Sequence, residues 1–158
     1  MIGTYGGGLS IIRPDGTINT YGFEDDSSGF LIFNIDIDRD NAYWLSTNVG
    51  IYKFSEGTFQ KVRFQKEPNT ETFFDIIHDD YGYAWMTTNR GIILVNKADL
   101  NLHIQGGADT LMIVKLRDDN DGILNRECTG PVPSLKASDG SIWFPTLGGV
   151  AVVKPREI

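Results

Sequence analysis

Side chains able to do chemistry are few and scattered in this 158-residue chain. His78 and His103 are its two histidines, and neither has a second His or Cys at metal-ligand spacing. His78 lies in the run Asp75-Ile-Ile-His-Asp79, just ahead of a turn, where a surface or hydrogen-bonded role is expected. Asp118-Asp-Asn-Asp-Gly122 has the composition of a calcium loop. Placing Gly122 at the sixth position of such a loop puts Arg117 at the first, where a carboxylate is needed, so the match fails. Gly6-Gly7-Gly8 lacks the following helix and the Lys-Ser/Thr of a phosphate cradle. Cys128, the lone cysteine, has no internal disulfide partner and no basic or helix-terminal setting to activate it; a buried, inert thiol is expected. These residues assemble no catalytic set, no metal site and no cofactor site.

What organises the chain is a pattern that recurs three times. It reads Trp44-Leu-Ser-Thr47-Asn-Val-Gly50, Trp85-Met-Thr-Thr88-Asn-Arg-Gly91 and Trp143-Phe-Pro-Thr146-Leu-Gly-Gly149, with Thr three and Gly six residues after Trp. An Asp-bearing turn precedes each copy: Asp38-Arg-Asp40-Asn, Asp79-Asp80-Tyr-Gly82 and Asp139-Gly140. A partial copy opens the chain at Ile2-Gly-Thr4, with Met1 in the Trp slot. The first two Trp are 41 residues apart, and a repeat of that length built from short strands points to a β-propeller or another repeat array. Each Trp can bury a large ring between neighbouring sheets, and each Gly permits a tight turn or close backbone approach. The three Trp are therefore expected at equivalent buried positions.

Between these marks, aromatic and β-branched residues alternate with polar ones over short runs separated by Gly or Asn. Ala42–Thr47, Gly50–Ser55 and Thr58–Phe64 are the clearest strands, and Pro14-Asp15-Gly16 is a hairpin signal. The expected fold is all-β: four-stranded antiparallel blades, about two complete, with a partial unit at each end. The units cover roughly 1–23, 30–64, 70–117 and 133–155. Extra length before the last unit falls in Lys97–Gly107, where Asn96-Lys-Ala-Asp-Leu starts a single helical turn at most.

Composition narrows the function. A chain 41% hydrophobic and 11% aromatic can build a packed core, and a formal charge of −7 argues against a surface that tracks nucleic-acid phosphates. No apolar run reaches the roughly 18 residues of a membrane span, and no charged-then-apolar leader is present in this stretch.

The three repeats in register, with Asp121-Gly-Ile-Leu-Asn-Arg-Glu-Cys128-Thr-Gly ahead of Asp139-Gly-Ser-Ile-Trp143-Phe-Pro-Thr-Leu-Gly-Gly-Val-Ala-Val-Val-Lys-Pro155, resemble the two-component regulator propeller repeats. These form the sensor region of hybrid histidine kinases and of some membrane-bound diguanylate cyclases. The final stretch is similar to the last blade of such sensors, which an immunoglobulin-like connector, a membrane helix and the output module follow. The usual Asp-Gly-Leu entry is degraded before the second unit (Asp25–Leu31) and before the third (Glu67–Glu71). The resemblance implies a non-catalytic, periplasmic or extracytoplasmic sensor segment. It would bind a small ligand such as a carbohydrate, or transmit that binding to a membrane-linked kinase, and it carries no implied cofactor. Asn48, Asn89 and Arg90, polar residues directly after the repeat Thr, are the candidate ligand contacts; the alternative is that they satisfy backbone groups in their turns. The competing reading is a fragment of a propeller lyase or hydrolase. Ser138-Asp139-Gly140 is also near the Asp box of sialidase-type propellers, but that motif needs one residue between Asp and Gly. A chain with too few blades for a ring should leave sheet edges and apolar faces open, so self-association is expected.

Overall fold

The computed structural model describes residues 1–22, 30–38, 40–66, 72–117, 123, 125–130 and 132–157, with backbone only for 115–117. Phe23, residue 70, the two degraded entries up to Gly29 and through Glu71, and the Asp118–Gly122 run lie outside the described residues.

Four antiparallel sheets follow one another along the chain. The first holds β1 (Ile2–Gly3), β2 (Leu9–Ile12) and β3 (Ile18–Tyr21). The second holds β4 (Ile32–Ile37), β5 (Tyr43–Thr47), β6 (Gly50–Ser55) and β7 (Thr58–Lys61), paired in chain order. The third holds β8 (Phe73–His78), β9 (Tyr83–Thr88), β10 (Gly91–Asn96) and β11 (Lys115–Arg117), again in chain order. The fourth holds β12 (Leu135–Lys136), β13 (Ile142–Thr146) and β14 (Gly149–Val153), before a 3-10 turn at Pro155–Glu157. Two four-stranded blades thus stand between two three-stranded units.

Period-2 alternation sends each strand's side chains to two different cores. In β5, Tyr43 and Leu45 join Leu9, Phe54 and Tyr21 between the first and second sheets. Trp44, one residue out of phase, joins Ile51, Ile76, Ala84, Met86 and Ile93 between the second and third. The same division in β9 sends Trp85 toward Ile142, Phe144 and Cys128 of the fourth unit. No sheet carries a solvated face until the ends of the row, which explains why hydrophobic residues occupy both phases of β9 and β10.

Trp143 departs from the expectation of equivalent burial. Its cross-strand partners, Leu135 and Val152, place it on the face that corresponds to Trp44 and Trp85, but it is 44% exposed. The cause is tertiary: the ring faces away from the third sheet, and no described residue packs beyond it. The second departure is a helix, α1 (Lys97–Ile104), where a single turn was expected. Asn96 caps it by accepting from the amides of Ala98 and Asp99, at 2.8 and 3.4 Å. Its sequence is hardly amphipathic, so it was invisible to periodicity; its stability comes from the tertiary burial of Leu100, His103 and Ile104. His103 has a structural task. Nε2 accepts from the Arg63 amide at 3.1 Å and Nδ1 meets the Ala108 carbonyl at 2.8 Å, which requires the neutral ring protonated on Nδ1.

Candidate functional site

The repeat signature resolves into two local devices. Thr47, Thr88 and Thr146 each donate Oγ1 to the carbonyl of the Gly three residues on, at 2.6, 2.8 and 3.1 Å. The same oxygens accept from the amides of Val49, Arg90 and Gly148 inside the turn. Gly50, Gly91 and Gly149 all sit at φ 135°, a left-handed value that L side chains rarely adopt, which is why this position is Gly. The second device is a carboxylate six residues before Trp. Asp38 Oδ1 accepts from the amides of Asp40 and Ala42, and its Oδ2 from Trp44 Nε1 at 2.8 Å. Asp79 repeats this with Tyr81, Tyr83 and Trp85 Nε1, the last at 2.9 Å. The sequence reading noted Asp-rich turns and missed this offset, whose signal was an Asp six residues before two of the three Trp. In the last unit Ala137 holds that slot, and Trp143 Nε1 donates to Ser141 Oγ instead.

These turns position β4, β8 and β12, the first strands of the last three units, side by side, and a polar seam joins them. Asp75 is at its centre: Oδ1 accepts from Asn34 Nδ2 at 2.5 Å and Oδ2 from the Ser134 amide at 2.6 Å, so one carboxylate ties three blades together. A bulge between Phe73 and Asp75 turns this side chain into the seam. Further along, His78 Nδ1 lies 3.0 Å from Asp36 Oδ2, with its ring beside Trp44, and Lys136 Nζ reaches Asp80 at 3.0 Å. Burial pushes the Asp75 carboxyl above the ordinary carboxylate value. That effect outweighs the hydrogen bonds from Ser134 and Asn34, and the neighbouring Asp36 reinforces it. Burial likewise raises Asp38, but hydrogen bonds from Trp44, Ala42 and Asp40, with help from His78, hold it below that value.

The sequence-nominated residues lie at one end of the blades. Asn48 is in the β5–β6 turn, Asn89 and Arg90 in the β9–β10 turn. The Asn48 carboxamide oxygen accepts from the Leu31 amide at 2.8 Å, tying the turn to the chain entering β4. Arg90 is exposed and Asn89 half-buried. At the opposite end, an open cleft of about 820 Å³ lies between the first two sheets, lined among others by Arg13, Tyr21, Asn41, Tyr43, Lys53 and Glu56. The sequence reading did not foresee it, because it exists only where two blades meet. Among the described residues no group of three or more His, Cys, Asp or Glu is arranged to hold a metal ion. Burial, with a smaller contribution from Asp75, raises the Cys128 thiol to about 11, so it is protonated at neutral pH.

With this geometry in hand, solved structures can be compared. The extracellular domain of BT4673 from B. thetaiotaomicron, described as a one component system and in a second structure as a hybrid two component system, superposes with TM-scores of 0.79 and 0.73 at 18% identity. The match takes in 98% of this chain and 22% of that one in the first case, 92% and 20% in the second. The chain has a propeller fold. The extracellular domain of the BT3049 hybrid two component system from the same organism gives 0.66 at 19% identity, over 95% of this chain and 18% of that one. Virginiamycin B lyase from Staphylococcus aureus gives 0.61 at 16% identity, over 94% and 49%. The chain thus spans about a fifth of the BT4673 and BT3049 domains. No family model and no curated protein sequence matches it. Extracellular domains of one and two component systems and a lyase thus share this fold, so the fold by itself does not choose between a non-catalytic and a catalytic role. No helix among the described residues is long and apolar enough to cross a membrane.

Proposed function

We propose that this chain is a non-catalytic part of an extracytoplasmic sensor in a two-component signalling protein, resembling the two-component regulator propellers. Its role is to bind a small ligand, a carbohydrate in the first instance, or to carry that binding toward a membrane-linked kinase. The observation that carries this reading is the seam through Asp75. Both Asp75 oxygens are engaged by neighbouring blades, one by Asn34 and one by the Ser134 amide. An enzyme would need such a carboxylate free to meet a substrate. A shared carboxylate instead couples the positions of three blades, so a ligand that moves one shifts the next. The fold likeness to extracellular domains of one- and two-component systems supports the same assignment.

Asn89 and Arg90 are the proposed ligand contacts, with Asn48 as the residue that holds their counterpart turn in place. A thermal-shift screen of the purified chain against mono- and oligosaccharides tests this, because a ligand that binds only the folded form must raise its stability. The expected result is a saturable rise that Arg90→Ala, a change to an exposed side chain, abolishes while the unliganded stability is unchanged. Release of product from a sugar or ester by the same chain, lost in His78→Gln, would establish the lyase or hydrolase reading instead.

A further inference from the structure

Phe33 and Phe74 hold equivalent places in the two four-stranded sheets. Ile32 faces Thr47 and Phe73 faces Thr88 across the ladder, and a bulge follows in each strand, so the next residue, Phe33 or Phe74, is left out of the pairing. Ile32 and Phe73 are buried, whereas Phe33 and Phe74 are half-buried. Each of these two sheets packs against a sheet of this chain on either side, so neither ring belongs to an outer face of the row. The two rings meet edge to face at 5.4 Å, and Tyr5 meets Phe33 in the same way at 5.8 Å. Tyr5 directly follows Thr4 in the first unit, the slot that Asn48 and Asn89 fill after Thr47 and Thr88, and it is 68% exposed. The fourth unit adds Gly130. A Cβ there would come within 2.8 Å of Phe74 Cδ1 and 3.6 Å of Phe33 Cδ1, so the position is Gly because the rings take its space.

A row of aromatic rings thus crosses three units and ends against bare backbone of the fourth, at the end of the blades that carries Asn48, Asn89 and Arg90. Rings that served only a core would be covered as Trp44 and Trp85 are. A single exposed apolar side chain is ordinary, but a connected row left partly in water marks a contact surface. Amide groups and the exposed Arg90 guanidinium stand at this end of the blades. An apolar floor edged by such donors fits a ligand with an apolar face and a hydroxylated rim, which is the form of a pyranose: axial C–H bonds make its faces and equatorial hydroxyls its rim. A lipid chain would leave the donors unused, and a free phosphate would leave the rings unused. We propose that Tyr5, Phe33 and Phe74 form the floor of a carbohydrate site, with Asn89 and Arg90 hydrogen-bonding the sugar's hydroxyls. Successive rings are inclined by 78° and 67°, so a pyranose stacks on the face of one ring and lies against the edge of the next. The site rests on the sensing role proposed above and deepens it by naming what selects a sugar face. A sugar seated there touches three units beside Asp75, the carboxylate that ties the blades together.

Saturation-transfer NMR of the purified chain with cellotriose tests it, because every ring hydroxyl of a β-glucosyl unit is equatorial and its faces are all C–H. Sorbitol, an open-chain polyol without a ring face, is the control. The expected result is transfer to the axial hydrogens of cellotriose and none to sorbitol. Tyr5→Ala removes an exposed ring and Phe74→Leu keeps an apolar side chain in place, so both should fold with an unchanged far-ultraviolet spectrum. Each should weaken cellotriose binding at least about tenfold. Undiminished affinity in either variant overturns the aromatic floor, as does equal transfer to sorbitol or no binding of cellotriose. If the thermal-shift screen still finds a sugar whose binding Arg90→Ala abolishes, the sensing role stands without the floor; if it finds none, both fall.

Discussion

Replacing Asp79 with alanine tests the physical account of the repeat most directly. Its carboxylate is buried and takes three donors: the amides of Tyr81 and Tyr83 on Oδ1, both at 2.8 Å, and Trp85 Nε1 on Oδ2. The turn amides lie close to solvent, since Tyr81 is exposed and Tyr83 half-buried, so water replaces much of what they lose. Trp85 is fully buried, and its indole N–H is left without a partner. A buried donor stranded in this way costs about 1–3 kcal/mol, and the two charge-assisted turn bonds add about 1 kcal/mol once water has compensated. The sum, about 3 kcal/mol, is a large share of the roughly 5–15 kcal/mol that holds a domain folded. Asp38→Ala removes an equivalent set of bonds from a less buried carboxylate and should cost less, about 2 kcal/mol. Ala137→Asp restores the missing slot. It should change little, because Trp143 is partly in water and already donates to Ser141. Urea unfolding followed by tryptophan fluorescence, at constant denaturant dependence, gives the three values. An Asp79→Ala loss below about 1 kcal/mol would refute the claim that the stranded Trp donor sets the scale, and one no larger than that of Asp38→Ala would refute the added cost assigned to the more buried carboxylate.

Two further outcomes follow from the seam and its surroundings. Asp75 has a folded-state pKa above its ordinary value, so its contribution is fully present in acid and is lost as pH rises through the raised value. Asp75→Asn, which keeps an acceptor for the Ser134 amide, should remove the part of the stability decline that begins above about pH 4; an unchanged pH profile would contradict the assignment. Cys128 should react with a thiol reagent at least about a hundredfold more slowly in the folded chain than in urea, given its burial and its pKa near 11, and equal rates would show that the site opens readily.

Much of this protein was legible in the order of its residues. The Trp–Thr–Gly offsets, the alternation and the turn residues are local, and local chemistry carries them: a hydroxyl reaches three residues on, and a left-handed φ demands Gly. They were enough to name an all-β propeller and to place β5 and β6 within a residue. What the order of residues did not determine is everything that depends on a neighbour in space. Trp143 keeps the same Trp–Thr–Gly offsets as Trp44 and Trp85, yet its exposure is set by whether another sheet lies beyond it. Helix α1 has no amphipathic pattern and is held by contacts that Gln60 and Arg63, some forty residues earlier, make with Ile104 and His103. Asp75 reads as one more strand polar residue until the blades bring Asn34 and Ser134 to its two oxygens from 41 and 59 residues away. Burial, pairing and the shift of a titration are properties of that assembled surface, because the free energy of a polar group depends on what has replaced its water.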